Sequence, residues 1–377
     1  MVVKRLRPRH AHGERTSERP RPSVSLVVFL RVLLVVAVVA IAGVVGGRSA
    51  PVVPPAGEAA SPSRPAARPR TLAVGLDVDV DGWVVLPDWS NVWVAGAGTL
   101  FELDDETGRV RRTGRGSWDY DHVRMARYGE GTILIVSGTT FWAVDAWSGG
   151  VVSRHDLSHL GSLDAVLHVH NSTWVAASTE RGGVLARIDL DSGRALARYR
   201  IPGGLHELAR TAAFLVVGSR SPGGPSIARV DPRMRSVVSL SSRPAALATV
   251  SFRAWTAADG VVRCIDVVTT DPCGEVVVPR AAALASDGRR LWVLSATGST
   301  SSEIFEPDPA QPAGVTLLDG RTGEMLADPL DLPAATPATI AAFRGHAWVG
   351  FHEGRVLRID VVSGRIRRAN PETAQST

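Results

Sequence analysis

The sequence predicts an all-β domain, a seven-bladed β-propeller, preceded by a single N-terminal transmembrane helix and a Pro/Ala-rich linker. Three observations predict it: an apolar run follows a basic N-terminus, a proline-rich stretch follows that run, and a strand-turn-strand motif then recurs seven times. The predicted divisions are a basic cytoplasmic tail (1–23), a transmembrane helix (24–47), a linker (48–70), the propeller (71–370) and a C-terminal tail (371–377).

The N-terminal segment has the features of a membrane anchor. Its apolar run, residues 24–47, is long enough to cross a bilayer as a helix. The one charge in the run, Arg31, lies near enough to the basic flank to reach the membrane interface. Basic residues before the run favour a cytoplasmic N-terminus, so the propeller is expected outside the cytoplasm, at the cell membrane. A cleaved signal peptide is the alternative, although no small-x-small site follows the run cleanly.

The distribution of charge argues against a nucleic-acid partner. Residues 1–31 have eight basic and two acidic side chains, a net charge of +6, whereas the whole chain has +5. The remainder therefore has a net charge of −1 and no basic excess to neutralise phosphates. Residues 48–70 are mostly Pro, Ala, Ser and Arg, which predicts an extended linker of about 60 to 70 Å.

Two elements recur along residues 72–370 at intervals of about forty residues, the length of a four-stranded blade. The first is an apolar strand that often contains tryptophan, with copies that begin at Val92, Ile133, Thr173, Phe214, Ala254, Leu291 and Ala347. The second is a strand that ends in Asp before a Ser/Thr-Gly turn, and its aspartates are Asp104, Asp145, Asp189, Asp231, Asp266, Asp319 and Asp360. We expect the aspartates to form turns and the tryptophans to fill the core.

A closed ring needs a partner strand for its last blade, because an open sheet edge invites aggregation. The last repeat is followed only by a polar tail, whereas residues 71–76 provide a spare strand ahead of the first blade. We therefore expect residues 71–76 to complete the seventh blade.

The chain has two cysteines, Cys264 and Cys273, which flank a predicted hairpin in the fifth repeat. Oxidation is permitted in an exported domain, so we expect them to form a disulfide. Closing a loop of about ten residues contributes roughly 2.5 to 3 kcal/mol in the chain-entropy model. The bond is expected to compensate for the turn of this repeat, which lacks the usual glycine.

The repeat of strand, Asp-x-x-Thr-Gly turn and strand is clearest at residues 143–151 and 317–326. It resembles the repeats of pyrroloquinoline-quinone-like and related β-propeller proteins, which are common as exported bacterial proteins. The resemblance covers residues 72–370 and implies the propeller fold but no particular activity. The tryptophan that docks the quinone in that family is absent after the turn glycines here, and vicinal cysteines are absent too. No quinone is therefore expected.

A candidate polar site lies where the chain enters the innermost strands, at one mouth of the predicted channel. Counting back from the strand-tryptophan positions places His122, Asp164, His206 and Glu207 at matching points of successive blades. Such side chains can act as general acid and base or hold a metal, and propeller lyases of the streptogramin-inactivating type resemble this plan. The alternative is a solvated rim of unrelated loop residues. Arg280 occupies the matching point of the sixth blade and is a candidate binding residue.

Four aspartates near the start of the propeller suggest calcium. Asp77, Asp79, Asp81 and Asp88 follow the oxygen spacing of a calcium loop, with Asp in place of the final Glu. A strand with one solvated face would show the same alternation without any ion. Calcium is the one cofactor that the sequence suggests, and a bound ion would raise the melting temperature of the domain.

The sixth repeat contains a long insertion at residues 296–314, which places Ile304 and Phe305 between Glu303 and Glu306. An apolar pair that is flanked by acidic residues can anchor a partner that has a basic surface. A disordered insertion is the alternative. The function that we expect is a binding or scaffolding module for an envelope protein or glycan. A propeller lyase or hydrolase with its site at the channel mouth is the second candidate.

Overall fold

The computed structural model describes residues 70–88, 90–118, 123–129, 131–169, 171–221, 224–233, 235–242, 246–296, 313–333 and 336–363. These residues belong to one compact unit, Ala67–Thr377. The predicted transmembrane helix and nearly all of the linker lie outside them. In the part of the chain that is described, no helix is long and apolar enough to cross a membrane.

The described residues form 28 strands and one short 3-10 helix, Ser158–Leu160. The strands are, in chain order, β1 (Arg70–Asp79), β2 (Val84–Pro87), β3 (Asn91–Gly96), β4 (Thr99–Asp104), β5 (Val110–Arg115), β6 (Arg124–Tyr128), β7 (Thr132–Ser137), β8 (Thr140–Asp145), β9 (Val151–Asp156), β10 (Ser162–Val169), β11 (Ser172–Thr179), β12 (Gly182–Ile188), β13 (Ala195–Ile201), β14 (Gly204–Arg210), β15 (Leu215–Ser221), β16 (Gly224–Asp231), β17 (Ser236–Ser242), β18 (Ala246–Val250), β19 (Arg253–Ala258), β20 (Val261–Asp266), β21 (Pro272–Val277), β22 (Ala281–Ser286), β23 (Arg290–Ser295), β24 (Gly314–Asp319), β25 (Leu330–Asp331), β26 (Pro337–Phe343), β27 (His346–Phe351) and β28 (Arg355–Ser363).

These strands form seven four-stranded sheets, each of which is one blade. Blades one to six take four consecutive strands each, from β2–β5 through β22–β25, and blade seven consists of β26, β27, β28 and β1. The first strand of every blade contacts the first strands of both neighbouring blades, so β2, β6, β10, β14, β18, β22 and β26 form a closed ring of inner strands. The prediction of a seven-bladed propeller is confirmed.

The direction of the strands gives the ring two distinct faces. Every inner strand begins at one face, here called the start face, and ends at the other, the turn face. The turn face has the connections from first to second strand and the aspartate turns from third to fourth strand. The start face has the connections from second to third strand and those between blades.

Buried apolar side chains fill the interfaces between blades. Within the described residues they form seven clusters, one between each neighbouring pair of blades. Trp255, Trp292 and Trp348 are no more than 1% exposed, as expected for tryptophans that fill the core. Because a fully buried large apolar side chain contributes about 1.5 to 3 kcal/mol, these contacts hold neighbouring blades together.

Six of the seven aspartates of the repeat form turns, as predicted. The prediction is wrong for Asp360, because β28 continues past it to Ser363 and pairs with β1. Oδ1 of Asp104 accepts hydrogen bonds from the backbone N–H of Thr107 at 2.7 Å and from its hydroxyl at 2.9 Å. Asp145 accepts the same two bonds from Ser148 at 2.6 and 2.8 Å. The bonds from Thr107, together with Arg111, lower the pKa of Asp104 to about 2. The carboxylates therefore serve the fold of the turn.

Two repeats keep the turn shape without glycine. Gly108 has a φ of 69°, and Arg235 and Thr270 take φ values of 53° and 68° in the fourth and fifth blades. A left-handed conformation costs a residue with a Cβ about 1 to 2 kcal/mol. Next to Thr270, the predicted disulfide between Cys264 and Cys273 is present and ties β20 to β21. It lies where the missing glycine weakens the turn.

The ring is closed by the two ends of the described chain. β1 pairs antiparallel with β28, from Arg70 opposite Ser363 to Asp79 opposite Arg355. This confirms that the N-terminal strand completes the seventh blade. Leu72 on β1 is 7% exposed and belongs to the cluster between blades six and seven.

We expect Leu72→Ala to lower the free energy of unfolding by about 2 to 4 kcal/mol, because it removes buried methyl groups from the strand that closes the ring. Val74→Ala is the matched control, since Val74 lies on the same strand and is 42% exposed. It should cost about 0.5 kcal/mol or less. Urea unfolding of both variants measures the difference, and equal losses would contradict the closing role of Leu72.

Candidate functional site

The charged residues of the inner strands lie on one side of the ring. They are confined to the neighbouring strands β6, β10 and β14 and are Arg124, Arg127, Asp164, Glu207 and Arg210. The inner strands of blades one, five, six and seven have none and are rich in alanine and valine. The channel therefore has a charged side, built by blades two to four, and an apolar side.

β-bulges near the start of two inner strands place polar residues at this site. The pairing of β10 shifts between Leu163 and Ala165, so that Asp164 is the extra residue. The pairing of β14 shifts in the same way around His206. A bulge re-aims a side chain and often adjoins a functional site. Asp164 and His206 thus occupy equivalent positions in blades three and four.

The carboxylate of Asp164 is held by the neighbouring strand. The Ser178 hydroxyl on β11 lies 2.5 Å from Oδ2 of Asp164 and 3.0 Å from the carbonyl oxygen of Leu205. Leu205 belongs to β14, so this hydroxyl also connects blade three with blade four. The contact fixes the position of the acid and ties together the two strands that provide the site.

Gly218 on β15 leaves room for the side chains of His206 and Glu207. A Cβ at this position would lie 3.2 Å from Nε2 of His206 and 3.4 Å from Cβ of Glu207. Both ring nitrogens of His206 and Oε2 of Glu207 are shielded from water. A larger residue in place of Gly218 would therefore crowd a histidine and an acid at the start of β14.

Arg124, the first residue of β6, is the cation of the site. Its side chain is accessible to water and yet enclosed by protein, as expected of a group that lines a channel. This enclosure lowers the pKa of the guanidinium, and the negative charges of Glu207 and Asp164 oppose the shift. Arginine remains charged at neutral pH in any case. Its Nη1 donates a hydrogen bond to the Val123 carbonyl at 2.9 Å.

The arrangement can bind a small polar ligand. It offers one cation, two carboxylates and one imidazole from three neighbouring strands, so that it can donate and accept hydrogen bonds within one small region. The carboxylates attract Arg124, so opposite charges face each other within the cluster. Among the residues that the structure describes, no group of three or more His, Cys, Asp or Glu side chains is placed to hold a metal ion.

Three of the four predicted channel residues are described, and all three lie at the starts of β10 and β14: Asp164, His206 and Glu207. His122 lies outside the described residues. Sequence reasoning missed Arg124 and Ser178. Arg124 lies ten residues before Leu134, within the same counting window that selected the others, so the signal was present. No sequence pattern indicates Ser178, because its role depends on the register of β11 against β10.

Of the candidate binding residues, Arg280 lies beside the start of the insertion of blade six. Arg280 stands in the turn before β22 with a φ of 59°, and its carbonyl oxygen accepts a hydrogen bond from the backbone N–H of Ala296 at 3.0 Å. The insertion leaves the ring directly after Ala296. Ile304 and Phe305 lie in the part of the insertion outside the described residues. Arg280 is thus at the base of the segment that contains them.

The four aspartates of the calcium pattern do not come together. Asp77 and Asp79 are on β1, the outermost strand of blade seven, where Asp77 binds Arg355. Asp81 follows that strand at the start face. Asp88 follows β2, the innermost strand of blade one, at the turn face and forms an ion pair with Arg127. Calcium binding stays a prediction.

We expect Arg124→Met to destabilise the protein by roughly 1 to 2 kcal/mol at pH 7, because Asp164 and Glu207 would then repel each other without a cation, in a channel where water screens them. The loss should shrink at about 1 M salt, where the Debye length falls to about 3 Å and the repulsion is screened. Arg115→Met, at an exposed arginine on β5, is the control and should change stability by less than about 0.5 kcal/mol. Urea unfolding at low and high salt tests this, and a loss independent of salt would refute it.

Comparison with known proteins identifies the fold and no family. No family model and no curated protein matches the sequence. Among solved structures, the β-propeller domain of Cps50 (Swd1) from Myceliophteria thermophila is similar, with a TM-score of 0.60 and 14% identity over 77% of this chain and 100% of that one. BamB from Moraxella catarrhalis is similar with a TM-score of 0.53 and 13% identity over the same shares. At such identities the likeness establishes that the chain has a β-propeller fold.

Proposed function

We propose that this chain is a membrane-anchored, extracytoplasmic β-propeller that acts as a binding or scaffolding module in the cell envelope. The basic tail and the apolar run of residues 24–47 support the anchor and its orientation. The disulfide between Cys264 and Cys273 supports an exported domain, because disulfides persist in oxidising compartments. Its partner is an envelope protein or a glycan.

The observation that carries the binding role is the hairpin of blade six. In blades one to five, two residues separate the second strand from the third, whereas 18 residues separate β23 from β24. Ser295 still pairs with Gly314, so the hairpin is intact up to the point where the insertion leaves it. A long connection on a rigid scaffold is a common place for a binding segment. Its apolar pair, Ile304 and Phe305, supplies the anchor.

The second candidate is a lyase or hydrolase that uses the channel cluster. Asp164, His206 and Glu207 on neighbouring strands favour it, since these residue types perform general acid and base catalysis. Against it, Arg124 attracts both carboxylates, and Ser178 binds the carboxylate of Asp164. The binding role needs none of these groups to exchange protons. We therefore rank binding first.

Topology is tested by protease added outside intact cells. If the propeller is extracytoplasmic, the protease should release it by cleavage within residues 48–70, because an extended proline-rich chain is accessible. An epitope placed in residues 1–23 should stay protected until the membrane is permeabilised. A propeller that is protected in intact cells would contradict the proposed orientation.

The binding role is tested by replacing residues 299–311 with a short Gly-Ser link. We expect the variant to keep its melting temperature, because the hairpin pairs remain, and to lose partners that the wild-type chain captures by cross-linking in envelope extracts. Asp164→Asn and His206→Ala should leave the captured set unchanged. An unchanged set with the Gly-Ser variant, or loss of partners only with the channel variants, would favour the channel and refute the role of the insertion.

A further inference from the structure

A groove opens at the start face of blade three, beside the connection that leads from blade two. Its volume is about 770 Å³. It is bounded by the 3-10 helix between β9 and β10, by the β11–β12 hairpin and by the end of β13. A volume of this size lies in the usual range of ligand sites, about 300 to 1,000 Å³.

The groove is basic. Arg181 stands in the hairpin, while Arg198 and Arg200 extend from β13, and all three are exposed. Arg200 is opposite Val184 and Arg198 is opposite Ala186, so the two arginines share the sheet face that packs towards blade two. None of the three arginines forms an ion pair with a carboxylate of the described residues.

The floor of the groove is apolar, and its acidic content is small. Leu160 and Ile201 are buried beneath it, and Val184 is partly exposed into it. Glu180 is the one carboxylate among the lining residues, and these residues include no Phe, Tyr or Trp on which a sugar ring could stack. The site thus suits an acidic segment that also has apolar side chains, and it suits a glycan less well.

The chain itself contains such a segment. Residues 297–312 include Glu303, Glu306 and Asp308, have no basic residue, and contain Ile304 and Phe305. Their three negative charges match the three arginines in number. In an extended chain, alternate side chains are about 6.6 to 6.8 Å apart. Arg198 and Arg200 have the same spacing along β13, because they are two residues apart on one strand.

We propose that the groove of one chain binds residues 297–312 of a second copy. Arg181, Arg198 and Arg200 pair with the acidic side chains, and Ile304, which shares one face of an extended segment with Glu306 and Asp308, lies on the floor. Blades three and six are separated by two blades on one side of the ring and three on the other. Blade six is therefore almost opposite blade three, and we assign the bound segment to a second copy.

The placement of the two parts permits a two-fold dimer. The groove and the hairpin ends between which the insertion runs, Ser295 and Gly314, both lie at the start face, so two rings that face each other can exchange both contacts around one axis, as isologous interfaces do. The inference rests on the proposed role of the insertion as a binding segment.

The first test measures peptide binding to the full-length chain in detergent, with residues 299–311 replaced by the Gly-Ser link so that no copy supplies the segment. The probe is a labelled synthetic peptide of residues 297–312. We expect saturable binding that weakens at least tenfold in Arg198→Ala/Arg200→Ala and falls with added salt. Arg194→Ala, at the turn face of the same blade, is the matched control and should bind as before. No binding, or equal binding by the groove variant, overturns the proposal.

The second test measures assembly of the unmodified full-length chain by sedimentation in detergent. We expect a dimer whose dissociation constant rises at least tenfold both in Arg198→Ala/Arg200→Ala and in Glu303→Gln/Glu306→Gln. A monomer that nevertheless binds the peptide would show that the segment comes from the same chain or from another protein, and would overturn the second copy as the source. If the peptide fails to bind while envelope partners still depend on residues 299–311, the proposed binding function stands and this inference alone fails.

Discussion

The pairing of β1 with β28 is the constraint on which the ring depends. Each blade buries its two faces only against its neighbours, so a ring with an open joint would expose two apolar sheet faces. Here the joint lies inside blade seven, whose outermost strand comes from the start of the described chain. Residues almost three hundred positions apart, Arg70 and Ser363, must meet before that blade is complete.

Local chemistry at this joint differs from that of the other six blades. Asp360 occupies the aspartate position of the repeat, but β28 continues past it to Ser363 and pairs with β1. Its carboxylate accepts a hydrogen bond from the ring of His346 at 2.7 Å and pairs with Arg358 at 2.9 Å. The backbone at Gly75 passes so close to this carboxylate that a Cβ there would collide with it. An aspartate that serves a turn elsewhere thus ties β28 to β27 here, and the closing strand can lie beside it because residue 75 is a glycine.

The sequence predicted the fold because the repeat is local. Asp104 and Asp145 bond to residues three positions ahead, so the pattern can be recognised along the chain without knowledge of tertiary contacts. The channel residues were predicted only in part. The forty-residue period predicted the positions of Asp164 and His206. The direction of their side chains depends on β-bulges, which no residue type in the sequence indicates. The calcium pattern failed to converge for a related reason. Asp77 and Asp88 are close in sequence, yet they lie on the outermost strand of one blade and after the innermost strand of the next.

The two sites on the start face, the channel cluster and the groove, differ in their charge. In the channel, Arg124 is attracted by two carboxylates, which outnumber it. In the groove, three arginines face one glutamate, and the excess positive charge is open to solvent. The chain after residue 31 has a net charge of −1, so the groove is a local exception on a nearly neutral domain. Because physiological salt screens charges beyond about 8 Å, that exception acts only on a segment already at the groove. Selection of an acidic segment there depends on shape and apolar contact as much as on charge.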